Sequence, residues 1–304
     1  MAMSTGRIEL TLGPLLFNWP AERLRAYYAE VAEVAAIDRV YLGEVVCGKR
    51  APLVDDVLAQ AAERLRAAGK QVVWSGQALP STPREMRVGA RQLATGELVE
   101  LNDVSGLTQL PAGAPFVAGP FLNIYNEAAA AELIRRGCRR LCPNIELPLS
   151  SVATIAAACP GLEIELFAYG RLPLALSGRC YHARLHGLRK DTCQFVCDRD
   201  PDGLAVNTVE GEPFLAVNGV QTLSYGTHLA DAPLETLRAA GVGALRLSPH
   251  TGDLGAIVAA FRRFADGDID RDGLRTAVEA AHPPGPLVNG YVHGVAGIRQ
   301  VAET

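Results

Sequence analysis

Residues 177–200 read SGRCYHARLHGLRKDTCQFVCDRD, placing Cys180, Cys193 and Cys197 close together beside His182, His186 and the cations Arg179, Arg184, Arg189 and Lys190. Soft sulfur donors select zinc and iron–sulfur species. Cys193 and Cys197 are four apart, so a helical QFV would put both sulfurs on one face. A fourth thiol, Cys47 in LGEVVCGKR, follows the strand-like run RVYL. Three readings compete. Buried thiols pack as small hydrophobes. A zinc site would draw on Cys180, His182, His186, Cys193 and Cys197, although its histidines lie between the cysteines, unlike a standard finger. Four converging thiolates would suit an iron–sulfur cluster. A thioredoxin-type pair needs one residue fewer between its cysteines. The residues alone leave zinc and cluster open.

Positioning these groups falls to an alternation of short β-branched runs with segments of helical spacing. Strands are expected at Ile8–Leu12, Arg39–Leu42, Gln71–Trp74, Leu98–Leu101, Phe116–Ala118, Arg139–Cys142, Leu162–Phe167 and Ala244–Leu247. Helices are expected over Ala21–Ala36, Leu53–Ala68, a segment opened by Ser81-Thr82-Pro83, Asn126–Arg136, Ser150–Ala158, Pro233–Ala240 and Leu254–Ala265. Strands alternating with helices over this length predict a TIM-barrel-like (β/α)8 arrangement, an α/β fold. A doubly wound sheet is the alternative, but no strand leads into a G-x-G-x-x-G. A cysteine-containing insertion with a hairpin (Leu204–Val209 and Pro213–Val217) follows the seventh strand. The expected domain is residues 1–266, including a cluster-binding insertion over 170–220, with residues 267–304 as an appendage packed on the barrel. In a barrel, functional residues follow the C-terminal ends of strands. Cys47 and the Cys180–Cys197 segment both do so, and would meet at one mouth.

The composition is that of a globular protein, with 49% hydrophobic and 20% charged residues and a net charge of −4. That charge gives no global attraction to nucleic acid or anionic lipid. The N-terminus MAMSTGRIELTLG has no signal-peptide pattern, and no run reaches membrane-spanning length. A cytoplasmic protein with reduced thiols is expected.

Around the cysteines the chain resembles the collagenase-like peptidases of unknown catalytic type. The matching residues are Glu165-Leu166-Phe167, Gly170 and Ser177-Gly178-Arg179-Cys180. Family members often carry a cysteine where this chain has Pro173. That departure, with Cys47 and the CQFVC pair, resembles the UbiV branch, one half of the UbiU–UbiV pair of oxygen-independent ubiquinone biosynthesis. The resemblance implies a [4Fe–4S] cluster on Cys47, Cys180, Cys193 and Cys197. It also implies a heterodimer with a UbiU-like partner, and hydroxylation of a ubiquinone precursor without O₂, with prephenate as oxygen donor by analogy. A non-catalytic cluster-bearing scaffold and a zinc-dependent hydrolase or peptidase are the alternatives. The chain carries no G-x-S-x-G elbow and no H-E-x-x-H.

Other residues at the expected mouth are Glu44 and Lys49, an acid and a base flanking Cys47, and Asn123, Asn144 and Glu146. Arg171 is the candidate for holding a carboxylated substrate. His182 and His186 read as exposed on the cysteine-rich segment or, if functional, as proton donors or supporting groups beside the cluster rather than ligands. The arginine run 179–190 offers an RNA contact as a minority reading. Asp268, Asp270, Asp272, Gly273 and Glu279 match a calcium-loop pattern. Arg275 in its apolar position and the short helix after it favour a solvated, helix-capping turn instead.

Overall fold

The computed structural model describes residues 6–302. Residues 1–5, within the N-terminus read above, and residues 303–304, at the end of the expected appendage, lie outside the described residues. The elements run β1 (Glu9–Leu12), α1 (Ala21–Glu33), β2 (Arg39–Leu42), α2 (Ala51–Ala67), β3 (Gln71–Ser75), α3 (Pro83–Leu93), β4 (Val99–Leu101), β5 (Phe116–Ala118), α4 (Glu127–Arg135), β6 (Cys138–Leu141), α5 (Leu149–Ala158) and β7 (Glu163–Leu176). There follow α6 (Tyr181–Leu185), β8 (Leu204–Asn207), β9 (Pro213–Asn218), β10 (Gln221–Leu229), α7 (Leu234–Ala239), β11 (Val242–Leu247), α8 (Leu254–Asp266), α9 (Arg271–Ala280) and β12 (Leu287–Val288). Strands β1 to β7 and β11 pair in parallel, and β11 bonds to both β1 and β7, which closes the eight-stranded barrel. The fold is the expected TIM-barrel-like one.

The helices face the barrel because their apolar residues recur at three- and four-residue steps. Helix α2 buries Val54, Val57, Leu58, Ala61 and Leu65 on that stripe. Helix α3 starts where Thr82 and Glu85 cap each other's backbone and Pro83 takes the first turn. The main core lies between strands and helices, with Leu10, Leu42, Phe116, Leu245 and Phe261 fully buried. Cys138 and Cys159 pack into this shell, and Cys142 into a small cluster with Phe167 and Leu172.

Inside the barrel, charge accompanies a small apolar cluster of Tyr41, Val73 and Val117. Arg246 bridges Glu100 (2.6 Å) and Glu165 (2.8 Å) and lies over the Tyr41 ring at 4.0 Å. Arg140 reaches Glu165 at 3.4 Å and Glu163 at 2.8 Å. Burial alone would raise the Glu165 carboxyl, but Arg246 and Arg140 outweigh it and hold it down at about 2. Burial lowers the His228 imidazole to about 4, against the pull of Asp231. Both folded-state values are depressed, so the unfolded chain binds more protons in each window. The His228 contribution is lost as pH falls from about 6.5 towards 4, and that of Glu165 as pH falls from about 4.5 towards 2. The thermal midpoint is therefore expected to fall continuously on acidification below neutrality; a flat profile between pH 7 and about 3 would contradict this.

Beyond the barrel, β7 continues past Phe167 to Leu176 and pairs antiparallel with β10, which carries β9 and β8. The expected hairpin is thus the outer part of a ribbon grown from a barrel strand. After β11, α9 packs on α8 and β12 adds to β10. The Asp270 side chain accepts from Gly273 N at 2.8 Å and caps α9, and Arg275 pairs with Asp231. Among the described residues, no helix is long and apolar enough to cross a membrane.

Candidate metal centre

Three separate stretches meet where the β2–α2 loop faces the insertion. Glu44 accepts from Val46 N and Cys47 N, both at 2.9 Å, which fixes the backbone that presents Cys47. Cys180 stands before α6, its sulfur accepting from Ala183 N at 3.4 Å. Cys193 ends a 3-10 turn, and Cys197 lies within the next one. Between them Gln194 (φ 51°) and Phe195 (φ 56°) both adopt the left-handed region, so QFV is not an α-helix and the four-residue spacing does not by itself align the two sulfurs. Two successive non-glycine residues in that region are costly and persist only where surrounding contacts hold them. Asn18 supplies one such contact, donating to Phe195 O at 3.3 Å. The result is that Cys47, Cys180, Cys193 and Cys197 line one pocket. Lys49, Arg50, His182, Lys190 and Gly219 complete its wall.

The polar surroundings favour sulfur anions. Arg50, almost fully buried, donates to Cys197 Sγ at 3.3 Å and to Asn218 Oδ1 at 2.7 Å. Asn18 Nδ2 also donates to Cys197 Sγ, at 3.4 Å. Glu44 is 3.9 Å from Arg50 Nη1 and forms no hydrogen bond with it, and Arg50 Nε and Nη1 have no hydrogen-bond partner. A buried guanidinium with unpaired N–H groups calls for further negative charge nearby. Burial raises the thiols of Cys47 and Cys180, while Arg50 pulls both down. Four thiolates, or an anionic group held by them, would supply the missing charge. The donor set therefore fits a thiolate-bound metal group. Tetrahedral zinc, with bonds of about 2.3 Å, brings its sulfurs to about 3.8 Å of one another. Among the described residues, the trio of donor atoms within 4.8 Å is His182, His186 and Asp200, without a cysteine.

Gly219 closes this pocket from the β9–β10 turn at φ 69°, and a Cβ there would overlap Arg50 Nη2. Gly219→Ala is expected to cost roughly 1–3 kcal/mol through the left-handed backbone and the displaced guanidinium. Denaturant titration checks it; an unchanged midpoint would show that Arg50 is not held in this position.

Other residues singled out in the sequence are placed differently. Glu44 is consumed by the loop it folds, and Lys49 donates to Lys190 O (2.6 Å) and Asp191 O (3.0 Å), tying the loop to the insertion. Lys49 is thereby occupied, whereas Glu44 also lines a cavity between α2 and α3. Arg171 donates to Ser224 O at 3.0 Å and to Tyr225 O, and lies over the Tyr225 ring, so its guanidinium braces the ribbon rather than a carboxylated substrate. Asn123, Asn144 and Glu146 do come together, around a cavity of about 320 Å³ at the barrel mouth. Asn144 donates to Asn123 Oδ1 at 2.8 Å, and Tyr291 from the tail donates to Glu146 at 3.3 Å. Pro173 lines the same cavity. A larger cavity of about 410 Å³ lies between α2, α3 and the ends of β3 and β4, with Trp74, Met86 and Leu101 in its lining. Sequence reasoning missed Arg50, Asn18 and Asn218. It also missed the buried pair Tyr169 and His250, whose Oη and Nε2 are 2.6 Å apart.

A family model described as peptidase family U32 matches residues 25–299. A tRNA hydroxylation protein P of Helicobacter pylori strain J99 is 27% identical over 140 residues, 42% of this chain and 32% of the relative. The protein of the same description from strain 26695 matches with the same identity and coverage. The matched part spans about a third of the length of these curated relatives.

Proposed function

The chain belongs to peptidase family U32, and from that premise we propose that it is the iron–sulfur subunit of an O₂-independent hydroxylase acting on ubiquinone precursors in the cytoplasm. It would work as a heterodimer with a UbiU-like partner. The observation that carries this reading is the shared pocket of Cys47, Cys180, Cys193 and Cys197 around a buried, incompletely paired Arg50. Those four residues would hold a [4Fe–4S] cluster. When bound, such a group supplies one-electron chemistry at a potential set by charge, exposure and hydrogen bonds to sulfur. Here Arg50 and Asn18 donate to Cys197 and the Ala183 amide to Cys180, which stabilises the thiolate form of the ligands. Half-buried Cys47 and Cys193 lie on the more accessible side. The cavity of Asn123, Asn144 and Glu146 offers amide and carboxylate groups that orient a hydroxylated ring by hydrogen bonds. Exposed Tyr181, Leu185 and Phe214 on the insertion provide apolar surface for a partner. The hydroxylation described for the Helicobacter pylori relatives supports the reaction class.

A second reading keeps the reaction and changes the substrate to RNA. It is favoured by the exposed Arg179, Arg184, Arg189 and Arg199 around the thiol pocket. Co-purification with a UbiU-like protein without oxygen, followed by incubation with a quinone precursor and prephenate, separates the readings. A product heavier by one oxygen, formed in this mixture and lost in Cys197→Ala, is expected. Modification of tRNA with no change in the quinone precursor would favour RNA. Peptide cleavage by this chain alone would contradict both.

A further inference from the structure

The donors that read in the sequence as one zinc set divide into two groups in the fold. The cysteines line their pocket, whose wall His182 shares, while the two histidines gather around Asp200. His182 lies on α6 and His186 follows its last residue, a four-residue step that puts both on one side. His182 is fully buried, its ring within reach of the Val217 backbone, and Nε2 faces Asp200 Oδ2 at 3.0 Å without hydrogen-bond geometry. The rings of His182 and His186 are 5.4 Å apart at 24°. With Zn–N bonds of about 2.0–2.1 Å, two imidazoles on one tetrahedral ion place their ring centres about 5 Å apart. One donor atom from each of His182, His186 and Asp200 lies within 4.8 Å of the others. Asp200 is fixed through its backbone, since its carbonyl accepts from Asn218 Nδ2 (2.8 Å) and Gly203 N (2.9 Å).

We propose that His182, His186 and Asp200 bind one divalent transition-metal ion, of which zinc is the reference case, at a site that adjoins the thiol pocket through His182 but uses none of its sulfurs. A buried imidazole nitrogen and a carboxylate held 3.0 Å apart without hydrogen-bond geometry are costly to keep, and a cation bound between them removes that cost. Imidazole with carboxylate suits zinc and its neighbours rather than calcium or magnesium, whose ligands are oxygen. Three protein ligands leave a position open on the exposed His186 side, where water or an anionic oxygen completes the shell. The site does not rest on what the cysteines hold.

The test is calorimetric titration of the full chain, purified without oxygen and with its thiol occupants in place, with Zn²⁺ alone. Zinc-edge X-ray absorption would be measured on the loaded sample. One Zn²⁺ per chain is expected, with nitrogen and oxygen at about 2.0–2.1 Å and no sulfur at about 2.3 Å. Loss of a supporting group alone weakens metal sites about 10–100-fold, so loss of a ligand in His186→Gln or Asp200→Asn is expected to cost at least about 100-fold. Exposed His186 makes the first variant safe for folding, and circular dichroism confirms it for both. Sulfur in the shell, Zn²⁺ binding kept at full strength in His186→Gln and Asp200→Asn, or no uptake by the parent protein would each overturn the proposal.

Discussion

Arg50→Met is expected to lower the thermal midpoint by roughly 10 °C and to strip most of the iron from protein prepared without oxygen. The substitution removes the donor to Cys197 Sγ and Asn218 Oδ1 and leaves the Glu44 carboxylate buried without its cation. Breaking a buried pair from one side costs about 3–5 kcal/mol. A chain of this size loses about 2–4 °C per kcal/mol, which gives the stated shift. Arg50→Lys keeps the charge but loses the fork that reaches sulfur and amide together, so it should recover part of the stability and little of the iron. Calorimetry and iron assay on the three proteins check this. Full iron content in Arg50→Met would show that the guanidinium does not support the thiols.

Glu165→Gln is the second large effect, of similar size and different origin. Glu165 is fully buried and neutralises Arg246 and Arg140 within the barrel, assisted by Thr11 and Tyr41, whose hydroxyls donate to it. Removing its charge leaves two cations sharing Glu100, Glu9 and Glu163. A loss of about 3–5 kcal/mol is expected. Glu97→Gln is the control, because the exposed Arg66–Glu97 pair is worth about 1 kcal/mol or less. Equal effects of the two substitutions on the unfolding midpoint would mean that the barrel interior is wetter than its burial indicates.

The barrel was readable because most of its strands are short runs with β-branched or aromatic residues and each long helix keeps an apolar stripe, so local pattern and tertiary burial agree. The ribbon was not. Gln221–Leu229 reads QTLSYGTHL, without a continuous alternation, and becomes a strand through pairing with β7 and β9. Gly170 and Pro173 interrupt β7 in the sequence, yet the strand continues because it leaves the barrel and pairs on that side with β10 alone. The thiols were legible as residue types. Their surroundings were not, because Asn18, Arg50 and Asn218 are brought together from distant parts of the chain. The four-residue step of CQFVC suggested a helix, but tertiary contacts hold Gln194 and Phe195 left-handed. Charge inside the barrel was hidden for a similar reason. Glu100 and Arg246 sit singly on short apolar strands and Glu165 on the long β7, and their mutual neutralisation exists only once the ring closes.

The most direct measurement is iron, acid-labile sulfide and zinc per chain, with a visible spectrum, on parent and Cys47→Ala protein purified without oxygen. About four irons and four sulfides, with broad absorption near 400 nm that collapses in Cys47→Ala, are expected from a cluster shared between the β2–α2 loop and the insertion. A colourless parent protein whose only metal is zinc, unaffected by losing Cys47, would contradict the iron–sulfur reading and with it the proposed hydroxylase role.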